Sequence, residues 1–204
     1  GVKRYEVAYN SLNGEHLRVK EDYALHAPVR VISVGRLFDA KNPEQLMRAV
    51  AGLDGVELTV VGDGPLREPL QALAHDLGAE RIRFRPAVPN DDLCALLAEQ
   101  DVFATHTEHW EISKSVLEAL LTGLPVVLNR RRGEPVPELA GGDLAVMVDS
   151  DTPEAWRAAL AGLIADDSAR ERLGRGAGQR ARARWAPEVT EKRFVDVYER
   201  LLAA

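Results

Sequence analysis

The sequence is poor in cysteine, and it lacks long apolar runs. Its single cysteine, Cys94, excludes a disulfide within the chain. Because Cys94 lies in the apolar helical stretch DDLCALL, we interpret it as a packed thiol in a reducing compartment. No apolar run reaches the roughly 18 residues of a membrane-spanning helix, and the opening GVKRYEVAYN lacks the hydrophobic core of a signal peptide. These absences predict a cytoplasmic location and no transmembrane segment.

An excess of positive charge is also absent. Acidic residues outnumber basic ones by 32 to 26, which gives a formal charge of −6. A chain of this charge is not expected to bind nucleic acid through its overall field, so any anion site must be local. Three arginines near the end, Arg180, Arg182 and Arg184, leave peripheral contact with anionic lipid open, although the acidic residues that follow favour a solvated helix face.

From Val29 onward, short apolar runs alternate with segments of helical periodicity. The strand-like runs are VRVISV, VELTVVG, IRF, DVFAT, PVVLN and LAVMV, and helical spacing occurs between them, as in PEQLMRAVAGL. Several of these runs are apolar on both faces, which is typical of a parallel sheet covered by helices on both sides. We therefore predict an α/β fold: a doubly wound, Rossmann-like six-stranded parallel sheet with helices on both faces and a helical C-terminal tail.

The chain has the length of one domain. Residues 1–28 are rich in turn signals and predict an interdomain linker that leads into the fold. Residues 29–150 form the predicted Rossmann-like core, and residues 151–204 form C-terminal helices of the same domain.

Loops that follow the strands are the informative ones, because ligands of open parallel sheets bind at the carboxyl ends of the strands. The loop after the first strand, GRLFDAKNPE, combines Gly35 with the cations Arg36 and Lys41 and could hold a phosphate. A merely solvated loop is the alternative. A dinucleotide fingerprint is missing, since GDGPLR has Arg67 where a third glycine would stand, and no phosphate-binding loop of a nucleoside triphosphatase occurs.

A polar stripe interrupts the apolar run SVLEALLTGLPVV. If the helix is continuous from Glu111, then Glu111, Ser115, Glu118 and Thr122 share one face. Periodicity alone favours a solvent-facing stripe.

Two other clusters suggest binding chemistry less strongly. His106 and His109 lie near Glu108 and Glu111, but no helical spacing aligns them, so we expect no metal. The arginines 130–132 follow the fifth strand, and we interpret them as solvated or interdomain residues.

Four segments together resemble a known family. VISVGRLFDAKNPEQLMRAV, LTVVGDGPLREPLQALA, IRFRPAVPNDDLCALLAEQDVF and SVLEALLTGLPVV are similar, in this order, to the carboxyl-terminal half of retaining glycosyltransferases of family 4. That family has the B-type glycosyltransferase fold, in which two Rossmann-like domains face each other across a cleft. The resemblance extends over most of the chain and implies that the amino-terminal, acceptor-binding domain is missing.

The resemblance implies roles for several residues. Gly35, Arg36 and Lys41 would contact the diphosphate of a nucleoside diphosphate sugar, with no metal and no further cofactor required. Ser115 would belong to the donor site, and Glu118 would accept hydrogen bonds from the ribose diol.

A first glutamate, near the donor sugar, is expected eight residues before Glu118, where Trp110 stands. Glu111 is our preferred candidate for that role, and Glu108 is the other. His106 is a further candidate donor contact.

Two more segments are matched less directly. Backbone groups from Arg85 to Val88 are candidates for recognising the base. Pro137 and Glu138 match a Pro-Glu pair of the family, whereas the neighbouring arginines depart from its pattern.

The main hypothesis is therefore the donor-binding half of a retaining, hexosyltransferase-type glycosyltransferase, inactive without its acceptor domain. The alternative is a non-catalytic module that binds a nucleotide or sugar nucleotide. A sugar-nucleotide epimerase on a similar fold is a third possibility, which the match of linker and loops disfavours.

Overall fold

The computed structural model describes residues 12–108, 112–130, 139 and 142–203. Its centre is a six-stranded sheet with the strand order β3-β2-β1-β4-β5-β6. Every pairing between neighbours is parallel. The predicted fold class is thus confirmed. The strands are β1 (Val29–Val34), β2 (Val56–Val61), β3 (Ile82–Arg85), β4 (Val102–Thr105), β5 (Val126–Asn129) and β6 (Val146–Val148).

Helices connect the strands and form the tail. A short 3-10 helix precedes α1, at Asp39–Lys41. The α-helices are α1 (Glu44–Ala51), α2 (Arg67–Asp76), α3 (Asn90–Ala98), α4 (Lys114–Thr122), α5 (Pro153–Ala165), α6 (Asp167–Trp185) and α7 (Pro187–Leu202).

The start of α4 settles one condition set by the sequence. The polar stripe assumed a helix continuous from Glu111, but residues 112 and 113 are not helical and α4 begins at Lys114. The cause is local: the Ser113 side chain accepts a hydrogen bond from the Val116 amide and caps the helix. Serine is among the residues most favoured at this position, because its oxygen satisfies an amide that the helix leaves unpaired.

The sheet carries a hydrophobic core on each face. Side chains of β1 alternate between them, with Val31 in one core and Ile32 in the other. Helices α3, α4 and α6 cover the face that Ile32 contacts, and α1, α2 and α5 cover the opposite face. Cys94 is fully buried, which confirms the packed thiol. The result is a three-layer α/β/α domain. None of the described helices is long and apolar enough to cross a bilayer.

Residues 12–28, which precede β1, are anchored to the carboxyl end of α4 and to α6. The buried Arg170 side chain donates to the Tyr23 carbonyl from Nε at 3.1 Å and Nη2 at 2.9 Å. The Tyr23 hydroxyl in turn donates to the Gly123 carbonyl at 2.8 Å, and the Lys20 amide donates to the Thr122 carbonyl at 2.8 Å. A side chain at Gly174 would collide with the Tyr23 ring. These contacts fix the end of α4 from outside the helix.

The loops after β1 and β2 approach each other closely. Gly62 has a φ of 145°, and a Cβ built there would lie 1.9 Å from the Gly35 carbonyl oxygen. Gly64 has a φ of 153°, and its Cβ would lie 2.3 Å from the Leu37 carbonyl oxygen. Only glycine allows this backbone conformation at this separation.

We predict that Gly62→Ala destabilises the domain by about 2 kcal/mol or more, because strained backbone and a collision with backbone atoms add together. The matched control is Gly162→Ala in the exposed part of α5, where a Cβ meets nothing within 4 Å. That change should stabilise the helix by about 0.5–1 kcal/mol. Urea unfolding would measure both. Equal stability of the two variants would contradict the close approach of the loops.

Candidate functional site at the carboxyl edge of the sheet

The strand order reverses between β1 and β4. The chain leaves β1 towards the face covered by α1 and leaves β4 towards the face covered by α4. In open α/β sheets, the loops at such a reversal flank a crevice at the carboxyl ends of the strands, and ligands bind there.

The loop after β1 brings Gly35, Arg36 and Lys41 together. Lys41 ends the 3-10 helix, and its Cδ lies 3.3 Å from the position that a Gly35 Cβ would occupy. Its half-buried stem thus lies against the glycine backbone. Arg36 is exposed, and its guanidinium is 5.0 Å from the centre of the Phe38 ring. Two cations accordingly belong to one short loop at the crevice.

Asp63, in the loop after β2, links the loops that follow the first three strands. Its carbonyl accepts from the Leu37 amide at 2.9 Å, and its Oδ2 accepts from the Ala87 amide at 2.8 Å. Arg67 Nη1 donates to Asp63 Oδ1 at 3.0 Å and to the Arg85 carbonyl at 3.1 Å. Sequence reasoning missed Asp63 and assigned Arg67 no role. The only indication of Asp63 in the sequence is that it is a polar residue between Gly62 and Gly64.

The segment proposed for base recognition is partly engaged within the protein. The Arg85 carbonyl and the Ala87 amide take part in the bonds just described. Val88 is half-buried and packs against the core that contains α4. A role of Arg85 and Val88 in binding a base stays a prediction.

Helix α4 is buried on all sides from Ser115 to Thr122, so the solvent-facing interpretation of these stripe residues is wrong. The exposed fractions of Ser115, Glu118 and Thr122 are 7%, 5% and 0%. Ser115 Oγ donates to the Val34 carbonyl at 3.0 Å, which ties the start of α4 to the end of β1. A charged side chain is seldom so deeply buried without a specific partner.

That partner is Asn90, the first residue of α3. Its Nδ2 donates to Glu118 Oε1 at 2.7 Å. Burial raises the pKa of Glu118, while the Asn90 hydrogen bond and the charge of Lys114 act in the opposite direction. The Asn90 Oδ1 atom is buried and has no hydrogen-bond partner in the part of the chain that the structure describes. Sequence reasoning missed Asn90, whose position before two aspartates suggests only a helix start.

The loop after β4 places His106 and Glu108 beside this crevice. His106 is buried, and its Nδ1 lies 3.3 Å from Asp151 Oδ2, which is ion-pair distance without the alignment of a hydrogen bond. Trp156 Nε1 donates to Asp151 Oδ1 at 2.8 Å. Burial raises the pKa of Asp151, but His106 and the Trp156 indole lower it by more, so the net shift is downward. His106 thus has a negatively charged neighbour.

Two further contacts fix that loop. Asn129 holds Thr107 from both sides, accepting from its amide at 2.8 Å and donating to its carbonyl at 3.1 Å. The Glu108 amide donates to the Ala40 carbonyl at 2.9 Å. Glu108 therefore lies against the loop that carries Arg36 and Lys41.

Several predicted residues lie outside the described part of the chain. They are Glu111, His109, Trp110, Arg131, Arg132, Pro137 and Glu138. Arg130 is described, and its Nε lies 2.5 Å from Asp149 Oδ1. Among the described residues, no group of three or more histidine, cysteine, aspartate or glutamate side chains could hold a metal ion.

The sheet topology defines a Rossmann-like domain whose strand order reverses between β1 and β4. The chain belongs to the family Glycosyl transferases group 1, which matches residues 20–180. The lipopolysaccharide core biosynthesis glycosyltransferase LpsE of Rhizobium meliloti is 36% identical over 92% of this chain and 53% of its own length. The D-inositol 3-phosphate glycosyltransferase of Corynebacterium glutamicum is 35% identical over 79% of this chain and 41% of its own length.

Solved structures agree on the fold. The structure of Anabaena Alr3699/HepE in complex with UDP and glucose superposes with a TM-score of 0.81 at 19% identity, covering 95% of this chain and 56% of that one. Sucrose-phosphate synthase from Thermosynechococcus elongatus gives a TM-score of 0.78 at 19% identity, covering 95% and 51%. The expected B-type glycosyltransferase domain is confirmed. The chain spans about half the length of the relatives it matches.

The raised pKa of Glu118 predicts an effect on stability. A carboxyl group whose pKa is higher in the folded state destabilises that state when ionised, and the penalty grows as pH rises through the folded pKa. We expect Glu118→Gln, which retains an acceptor for Asn90, to raise the melting temperature at neutral pH. The gain should shrink as the pH falls towards 4.5, the ordinary glutamate pKa.

Thermal unfolding at several pH values would check this. The control is Glu80→Gln, which removes an exposed carboxylate and should change little. A Glu118→Gln variant less stable than the parent at neutral pH would contradict the burial penalty.

Proposed function

We propose that this domain binds the nucleoside diphosphate sugar of a retaining glycosyltransferase, which transfers the sugar to an acceptor. The observation that carries the proposal is the buried Glu118 carboxylate, on a helix tied to the same strand end that leads into the loop with Arg36 and Lys41. An acceptor for hydroxyl groups and two cations for phosphates are the complementary parts of a nucleoside diphosphate. The family membership and the UDP complex of Anabaena HepE support it.

The chemistry assigned to the cations concerns the leaving group. When the bond between the anomeric carbon and the phosphate oxygen breaks, its electron pair stays on the diphosphate. Arg36 and Lys41 would stabilise the negative charge that builds there, and this contribution grows in the transition state. In this proposal no metal is needed. Retention would follow from attack on the face of the sugar that the phosphate leaves, without a protein nucleophile.

The remaining donor contacts keep their proposed roles. Glu118 would accept from the two ribose hydroxyls, and Gly35 would let the diphosphate approach the backbone. Glu111, or Glu108 in its place, would contact the sugar. Ser115 and His106 complete the proposed donor site.

A second domain is part of the proposal, because the relatives are about twice as long as the matched region. That domain would bind the acceptor and close the cleft, so the chain alone should not transfer sugar. An exposed apolar face on α7 is available to pack against it; its members are Phe194, Val195, Tyr198, Leu201 and Leu202. A cytoplasmic location stays a prediction.

One observation favours a non-catalytic binding module instead. Trp110 occupies the position where the family carries its first glutamate. Such a module would bind the nucleotide and leave the sugar bond intact even when joined to its second domain. Turnover of a sugar nucleotide by the full-length protein would distinguish the two.

We predict that Arg36→Ala weakens UDP binding about tenfold to a hundredfold, since a hydrogen bond to a charged group contributes roughly 1.5–3 kcal/mol. UDP is the probe, and titration calorimetry with a chelator present is the measurement. The preference for UDP over UMP should also shrink, because Arg36 acts on the diphosphate. Arg172→Ala, which removes an exposed arginine from α6, is the matched control.

Two outcomes would contradict the proposal. One is a folded Arg36→Ala variant that binds UDP as tightly as the parent does. The other is a parent protein that binds none of the common nucleoside diphosphates in the presence of the chelator.

A further inference from the structure

We infer that Asn90 is a positioning residue for Glu118: its amide orients the carboxylate towards the ribose and keeps it in the form that accepts hydrogen bonds. The inference rests on the proposed function, because it assigns a second residue to the ribose end of the same site. Asn90 is 28 positions away from Glu118 in the sequence, and the two meet because α3 packs against α4.

The geometry shows what the Asn90 amide does. Asparagine near the start of a helix ordinarily caps a free backbone amide with its side-chain oxygen. No side chain caps α3. Asn90 instead directs Nδ2 at Glu118 Oε1, at 2.7 Å. One carboxylate oxygen is thereby held by the protein, and the carboxylate is fixed in place to accept from the ribose hydroxyls.

The side-chain oxygen of Asn90 supports the same inference. Its Oδ1 is buried without a hydrogen-bond partner among the described residues. The opposite amide orientation would bring two oxygen acceptors together at Glu118, so the observed one is the chemically consistent choice. Buried polar atoms are nearly always paired, and an exception calls for an explanation. The explanation here is that the Asn90 amide is turned so that its nitrogen holds Glu118.

Besides Asn90, few groups near Glu118 favour its ionised form. From its own helix, Lys114 favours the ionised form, but Lys114 is exposed and its charge is screened by solvent. On α3, burial and then the negative charges of Glu118 and Asp91 raise the pKa of the Cys94 thiol, while the charge of Arg18 acts in the opposite direction. Asn90 is the group in direct contact that opposes the effect of burial. Without it, Glu118 should take up a proton at higher pH.

The experiment measures UDP and 2′-deoxy-UDP affinity by calorimetry between about pH 5.5 and 8. The variants are Asn90→Ala, which removes the donor, and the isosteric Asn90→Asp, which faces Glu118 with a second carboxylate. The control is Asp92→Ala, an exposed change in the same first turn of α3.

We expect Asn90→Ala to weaken UDP binding by about tenfold at the upper end of this range, with a loss that grows as the pH falls. Asn90→Asp should show a larger loss and a steeper pH profile. In both variants the preference for UDP over 2′-deoxy-UDP should shrink. Asp92→Ala should leave the shape of the pH profile and this preference unchanged. Arg36→Ala should weaken binding of both nucleotides and leave this preference unchanged.

Each other outcome overturns the inference. A uniform loss at every pH with the ribose preference intact would mean that Asn90 only stabilises the fold. Asn90 variants that bind like the parent would overturn the inference and leave the proposed function standing. A folded parent that binds none of the common nucleoside diphosphates would overturn both. If Asn90→Ala does not fold, the affinity and pH profile of the isosteric Asn90→Asp variant test the inference.

Discussion

The parallel pairing of β1 with β4 is the contact on which the site depends. It joins strands far apart in the sequence through the pairs Val31 with Val102 and Ile32 with Phe103. Because the strand order reverses there, the chain leaves β1 and β4 towards opposite faces of the sheet. The crevice is a consequence of this topology. The Ser115 hydrogen bond to the Val34 carbonyl then fixes α4 at its base.

Helix α4 contributes residues both to the hydrophobic core and to the proposed donor site. Its apolar residues fill the core, while the same helix carries a carboxylate into a region where burial disfavours its charge. The protein holds the helix at both ends, through the Ser113 cap at the start and through Tyr23 and Lys20 beyond its last turn. A strained or costly group is tolerated where the surrounding structure fixes it, and such groups concentrate at functional sites. Glu118 fits this pattern, because its burial is unfavourable for the free domain and the proposed function assigns it to a ribose.

The sequence predicted the sheet because its strands are apolar on both faces, a pattern that a covered parallel sheet requires. It did not predict the start of α4, since the Ser113 cap makes the helix begin at Lys114, three residues after Glu111. Periodicity also misplaced Glu118 in solvent, because a charged residue reveals nothing about the helices that pack around it. Asn90 and Asp63 act through partners 28 and 24 positions away, and no local pattern encodes such pairs.

The central claim is that a nucleoside diphosphate lies across the crevice, with its ribose at α4 and its phosphates at the loop after β1. A crystal structure of the domain with UDP would test it most directly. We predict the ribose hydroxyls at hydrogen-bond distance, about 2.5–2.7 Å, from the Glu118 carboxylate, and the diphosphate against Arg36 and Lys41. A nucleotide bound away from the carboxyl edge of the sheet, or with its ribose turned away from Glu118, would contradict the account.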